Sequence, residues 1–241
     1  MKITAIVAAV WMIGFTACQS ASTTQPALEQ SAEQRVQQNI QQLKAAAQPG
    51  DLLVRLNDDL ISDRVRYINE KDHSYSHTGI VVTKENKIYV AHIAPEQKGA
   101  DTIQYIPIDS FINAAKHIKC ALYRYNLSAA EKAALATTID KYKNADVRFD
   151  AVYDITDDDK MYCSEMISKA LETATGKRLQ FRQANIPKQM QKMVVHFFAK
   201  VNATDKQIAE RKIMTIDNLY LHPDCNLVME FPLKYFPDQV H

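Results

Sequence analysis

Hydrophobic positions change period several times along the chain, and each change marks an element. The opening segment, MKITAIVAAVWMIGFTACQS, has one charge, Lys2, then an apolar run from Ile3 to Ala17 that ends at Cys18. A spanning helix needs roughly 20 apolar residues, so the run is short for one. It fits an export signal over residues 1–17: a charged start, an apolar middle and small residues at the end. Residues 18–26 continue as a polar Ser/Thr/Gln linker. Residues 27–241 then read as one domain with an N-terminal helix. That helix is predicted over 27–47, where Leu28, Val36, Ile40, Leu43 and Ala47 form a stripe and Pro49-Gly50 stops it.

The next segment, DLLVRL at 51–56, predicts a strand, and 58–70 a short helix. The β-rich runs HTGIVVT (77–83) and IYVAHIA (88–94) flank KENK and predict a hairpin with Glu85-Asn86 at its turn. A short strand at 104–108 leads to Asp109, a helix-cap candidate, and 118–125 (IKCALYRY) predicts another strand. Ser128 and Glu131 form a capping box that opens a helix over 129–143. A loop with Asp154, Asp157, Asp158 and Asp159 lacks the calcium-loop pattern; one of these Asp is expected to cap the next helix. That helix runs from about Cys163 to Thr173 and stops near Gly176. Residues 186–241 mix apolar and polar positions without a clear period. Strands with helices before and after them indicate an α+β fold.

Hairpin parity brings two histidines together. Two-residue and four-residue loops give the same register, with Gly79 opposite His92 and His77 opposite Ala94. Side chains of paired residues share a face, as do those two apart. His77 and His92 are then diagonal neighbours, with Cβ atoms about 7–8 Å apart or less. On the later helix, Cys163, Met166, Ile167, Ala170 and Leu171 follow helical spacing. Cys163 falls in the first turn, where free backbone N–H groups and the helix dipole favour a thiolate. A nearby imidazole would complete an activated Cys–His pair, with a second His to orient the first.

Composition narrows the classes. The 241 residues are 46% hydrophobic and 24% charged, which suits a globular domain with a tail. A net charge of +1 argues against nucleic-acid binding by bulk charge. Four cysteines are too few for a disulfide scaffold of this size. His73 and His77 have the H-x-x-x-H spacing of a helical zinc pair, but no HExxH accompanies them and His77 falls on a strand. No metal and no cofactor is expected.

The strings Gly50-Asp51-Leu52-Leu53, Ser76-His77-Thr78-Gly79-Ile80-Val81 and Tyr89-Val90-Ala91-His92 resemble the blocks of NlpC-type cysteine peptidases. Met161-Tyr162-Cys163-Ser164-Glu165-Met166-Ile167 resembles the YCSEL helix of the YiiX/YebB-like branch. Members of that branch are circularly permuted papain-like enzymes, in which the nucleophile follows the histidine. The order His77, His92, Cys163 agrees, and the resemblance covers roughly residues 50–175.

By position, the resemblance implies an antiparallel sheet packed against helices, with Cys163 as nucleophile and His77 as general base. His92 takes the third, orienting place, where a Glu is common in the YiiX-like branch and a His is usual in the unpermuted one. The reaction implied is acyl transfer through a Cys163 thioester, with the Cys163 N–H as oxyanion donor and Tyr162 as a candidate side-chain donor. An amide bond is the expected target, with peptidoglycan peptide one candidate substrate. A lipid acyl hydrolase or acyltransferase, acting on an acylated small substrate, is the alternative on the same chemistry. A non-catalytic envelope-binding lipoprotein is the alternative of another class. The ending Phe15-Thr16-Ala17-Cys18 resembles a bacterial lipoprotein signal. It implies acylation of Cys18, a membrane anchor and an envelope location facing the periplasm, on the outer membrane. Export would allow a Cys120–Cys225 disulfide, with two free thiols as the equal alternative.

Overall fold

The computed structural model describes residues 31–95, 101–192 and 204–234. Cys18, the signal and linker segments and Leu28 lie outside these residues. The described chain, from Ser31 onward, forms one compact unit. Its elements run α1 (Ala32–Ala46), β1 (Asp51–Asn57), α2 (Leu60–Val65), β2 (His77–Lys84), β3 (Lys87–His92), β4 (Gln104–Ile106), α3 (Ile108–Phe111) and β5 (His117–Tyr125). They continue with α4 (Ala129–Asn144), β6 (Arg148–Phe149), β7 (Lys160–Met161), α5 (Cys163–Ala174), β8 (Ala184–Asn185), β9 (Lys212–Ile213) and β10 (Cys225–Pro232). Short helices at Asp205–Glu210 and Ile216–Tyr220 flank β9.

Six strands form an antiparallel sheet in the order β10-β5-β1-β2-β3-β4. Strand β1 reads as a near-continuous apolar run because both faces of the sheet are covered. Leu52 and Val54 join Ile80, Val82 and Ala91 in the core with Met166, Ile167, Ala170 and Leu171 of α5. Leu53 joins Val81 and Val90 in a second core on the opposite face, closed by Val36, Ile40 and Leu43 of α1 and Phe111 of α3. The polar helix at the N-terminus therefore packs on its own domain.

Two capping boxes set helix starts. Ser31 with Gln34 opens α1, and Ser128 with Glu131 opens α4, as the sequence predicts for the second. The hairpin has the two-residue loop: Lys84 pairs Lys87, and Glu85 and Asn86 have φ of 49° and 60°. Positive φ at both central residues matches a type I′ turn, whose twist suits a hairpin.

Two expectations are corrected, and the alternative left open for Cys120 and Cys225 is decided. Asp109 does not cap α3; Pro107 precedes that helix, and Asp109 pairs with Lys44 at 2.6 Å. No Asp caps α5, whose N-cap position is held by Tyr162. Cys120 and Cys225 are free thiols. On adjacent strands, Cys225 stands opposite Tyr125 while Cys120 stands opposite Phe231. The five-residue offset along β5 is roughly 17 Å at strand rise, beyond the ~7 Å that a disulfide spans between Cα atoms.

Gly79 shows how tightly the second core is filled at the hairpin. A Cβ there would lie 2.4 Å from Val90 Cγ1 and 3.0 Å from Phe111 Cε2. Gly79→Ala should destabilise by about 1–3 kcal/mol, the usual cost of overpacking. Denaturant unfolding measures it, and Gly79→Ala with Val90→Ala should cost less than the two single changes added. Simple additivity would place the strain elsewhere.

Candidate active site

The site is built where the first turn of α5 meets the first residues of β2. Cys163 opens α5, and the backbone N–H groups of Thr78, Ser164 and Cys163 itself act on its thiol and favour the thiolate. Two of these are unpaired helix-start donors. The third comes from the residue next to His77.

His77 begins β2 and His92 ends β3. Both are buried, and His77 Nε2 lies 3.1 Å from His92 Nδ1. The parity expectation of a shared face therefore holds, and side-chain reach closes the gap to a direct contact. Each ring also packs against Phe111, with centroids 5.6 Å away in both cases. With Nε2 engaged by His92, Nδ1 is the His77 nitrogen left for another partner.

Charge at the site differs from the sequence expectation. The three amides and Arg55 do favour a thiolate at Cys163, but burial outweighs them and raises the thiol. Burial lowers His77 well below the usual imidazole range, and the neighbouring Arg55, His92 and His117 push the same way. Burial, then Arg55, lowers His92 to about 4. The Cys163 thiol and the His77 imidazole are both held in their neutral forms.

Tyr162 does not serve as the expected oxyanion donor. It is 1% exposed, and its hydroxyl accepts the Met214 N–H at 2.6 Å. Glu165 was not singled out by the sequence. Its carboxylate accepts the Tyr162 N–H at 3.4 Å, pairs with Lys169 at 2.8 Å and is wholly buried. The Glu three residues after a helix boundary is the capping-box signal, here with Tyr instead of Ser or Thr in front. Arg55 and Phe111 were also missed. His73 packs against the Tyr67 ring, and among the described residues no group of three or more His, Cys, Asp or Glu is placed to hold a metal ion. The loop aspartates serve the loop: Asp154 accepts from Thr156, Asp157 from Asp159, and Asp158 pairs with Lys169.

A helix-borne cysteine after two strand-borne histidines, on an antiparallel sheet covered by helices, defines the permuted papain-like class. The chain belongs to the Peptidase C92 family, described as permuted papain-like amidase enzymes of the YaeF/YiiX type, whose model matches residues 46–228. It is 27% identical over 134 residues to the uncharacterized protein YiiX of Escherichia coli K12. That match covers 55% of this chain and 61% of YiiX. A crystal structure described as the metalloprotein yiiX from Escherichia coli O157:H7 shares the fold, with a TM-score of 0.61 at 22% identity. The alignment covers 76% of this chain and 97% of that one.

Glu165 gives the site a pH signature. Burial pushes its carboxyl from 4.5 up to about 7. A carboxyl raised by folding favours the folded state in its protonated form, a contribution complete below the unfolded pKa and lost as pH rises through the folded one. The stability of wild type relative to Glu165→Gln should therefore fall between pH 4.5 and about 7. Chemical denaturation across that range checks it, and a flat difference would contradict the burial cost.

Proposed function

We propose that the protein is a cysteine amidase acting through a Cys163 thioester, with His77 as general base and His92 as the residue that orients it. The observation that carries this reading is the direct contact of His77 Nε2 with His92 Nδ1 at 3.1 Å, in a chain whose α5 opens at Cys163. In the forward step the Cys163 proton passes to His77 while the sulfur attacks the carbonyl carbon. The negative charge on the carbonyl oxygen is met by the helix-start N–H groups. His77 then gives its proton to the leaving amine as the C–N bond breaks. Water, deprotonated by His77, attacks the thioester and releases the acid and the free thiol.

The His–His contact explains how a neutral third residue can work. A His77 with its proton on Nε2 donates to His92 Nδ1, which leaves Nδ1 unprotonated and able to accept from the thiol. Peptidoglycan peptide is the candidate substrate, since the export signal and Cys18 acylation expected from the sequence would place the enzyme against the cell wall. The reading on acylated substrates has one observation in its favour. Leu60 and Ile61 of α2, just past the end of β1, are 85% and 61% exposed.

The test is hydrolysis of cell-wall peptides and of acylated substrates, with intact-mass detection of an acyl adduct. Cys163→Ala should reduce turnover to background. His77→Ala should lose about 10²–10⁴-fold, the usual worth of an acid–base group, and His92→Ala a smaller part of that. An adduct on wild type that is absent from Cys163→Ala supports the thioester. Full turnover by Cys163→Ala would overturn the reading, and no turnover or adduct with any substrate would favour a binding protein.

A further inference from the structure

Beside the two histidines lies a cation that the reaction above does not use. Arg55 of β1 pairs with His77 across β1 and β2, so the two side chains share a face. Its guanidinium sits over the Phe111 ring, 4.3 Å from the centroid, and one amino group donates to the Phe111 carbonyl. Its Nε is buried without a hydrogen-bond partner. Among the described residues, no carboxylate lies within ion-pair distance of this guanidinium. The acid whose charge acts on it most is Asp59, whose carboxylate is occupied by the Ser62 N–H and hydroxyl at the start of α2. Of the groups whose ionised form would raise Arg55, Cys163 acts more strongly than Asp59, and its thiol is neutral at rest.

Two neighbouring polar groups are also left without partners. His117, 4% exposed, has Nδ1 without a partner, and so does the Oδ1 of Asn57, its cross-strand neighbour. His117, lowered to about 3 by burial and by Arg55, is neutral at physiological pH. A half-buried guanidinium without a counter-ion is costly to keep. Such a cation beside a nucleophile is accounted for when the anion arrives with the ligand.

We propose that Arg55 forms an anion subsite beside Cys163, so that the substrate carries a carboxylate next to its scissile carbonyl. This rests on the cysteine amidase reading and narrows its substrate class to acyl compounds with an acidic group adjacent to the bond cut. Arg suits the role because its planar fork grips a carboxylate in two-point fashion, which Lys does not reproduce.

Two alkylating reagents of similar size, iodoacetate and iodoacetamide, differ in that one bears a carboxylate. Their rates at Cys163 are measured by peptide mass spectrometry at one pH, in wild type, Arg55→Lys, Arg55→Met and His77→Ala. In wild type, the iodoacetate-to-iodoacetamide ratio should exceed that of a free thiol by about tenfold, the effect of one nearby partly screened cation. Arg55→Met should return it to the free-thiol value, and Arg55→Lys should keep part of it. His77→Ala should slow both reagents and leave the ratio high. A ratio that survives Arg55→Met but falls in His77→Ala would assign the cation to an imidazolium and overturn the subsite. Equal rates of both reagents in wild type and His77→Ala would instead remove the base, a failure of the amidase reading. Should Arg55→Met fail to fold, Arg55→Lys and wild type with rising salt give the same decision: an unchanged ratio in both overturns the subsite.

Discussion

The first turn of α5 and the first two residues of β2 share one small volume, and the placement of everything else follows from it. The Thr78 amide is among the backbone groups that act on the Cys163 thiol, so the helix start has to lie close to that end of the strand. That approach needs α5 anchored on one face of the sheet, through Met166, Ile167, Ala170 and Leu171. It also needs β2 fixed from the other face, where α1 and Phe111 close the second core. Two cores on one sheet hold a strand end and a helix end in register more firmly than either would alone. Tyr162 and Glu165 then lock the helix start to the Met214 segment and to Lys169.

Enclosure sets the electrostatics. Burial disfavours charge on both partners, raising the thiol and lowering the imidazole. A neutral pair is inert towards adventitious electrophiles in a way that a standing thiolate is not. The cost is that the proton must move during attack, which makes the direction of His77 Nδ1 decisive. In the proposed mechanism His92 supplies that direction through its 3.1 Å contact with His77, without the negative charge a Glu would bring. The positive field comes from Arg55, on the strand next to His77.

Local features of this site were legible in the sequence, and long-range ones were not. A hairpin with a short loop fixes its own register, so the sharing of a face by His77 and His92 followed from counting residues. Helical spacing likewise placed Cys163 at a helix start. Arg55 was invisible because nothing in DLLVRL says which strand lies beside β1; its pairing with His77 is a tertiary fact. The same gap left the disulfide and the two free thiols as equal alternatives, since the register of β10 on β5 spans a hundred residues of intervening chain. Tyr162 was misjudged for a different reason. Its place next to the nucleophile is plain in the sequence, but its hydroxyl is claimed by a backbone amide fifty residues away.

The central claim is that His77 takes the Cys163 proton as the sulfur attacks. The pH dependence of Cys163 acylation by p-nitrophenyl acetate, followed as a burst of p-nitrophenol in wild type and His77→Ala, tests it most directly. With His77 held well below the usual imidazole range, the wild-type rate should stay level to a pH below about 6.5, the ordinary value for a free imidazole. Without His77, the rate should track the thiol's own ionisation and climb steadily towards alkaline pH, since burial has raised that thiol. Superimposable profiles for the two proteins would contradict the account.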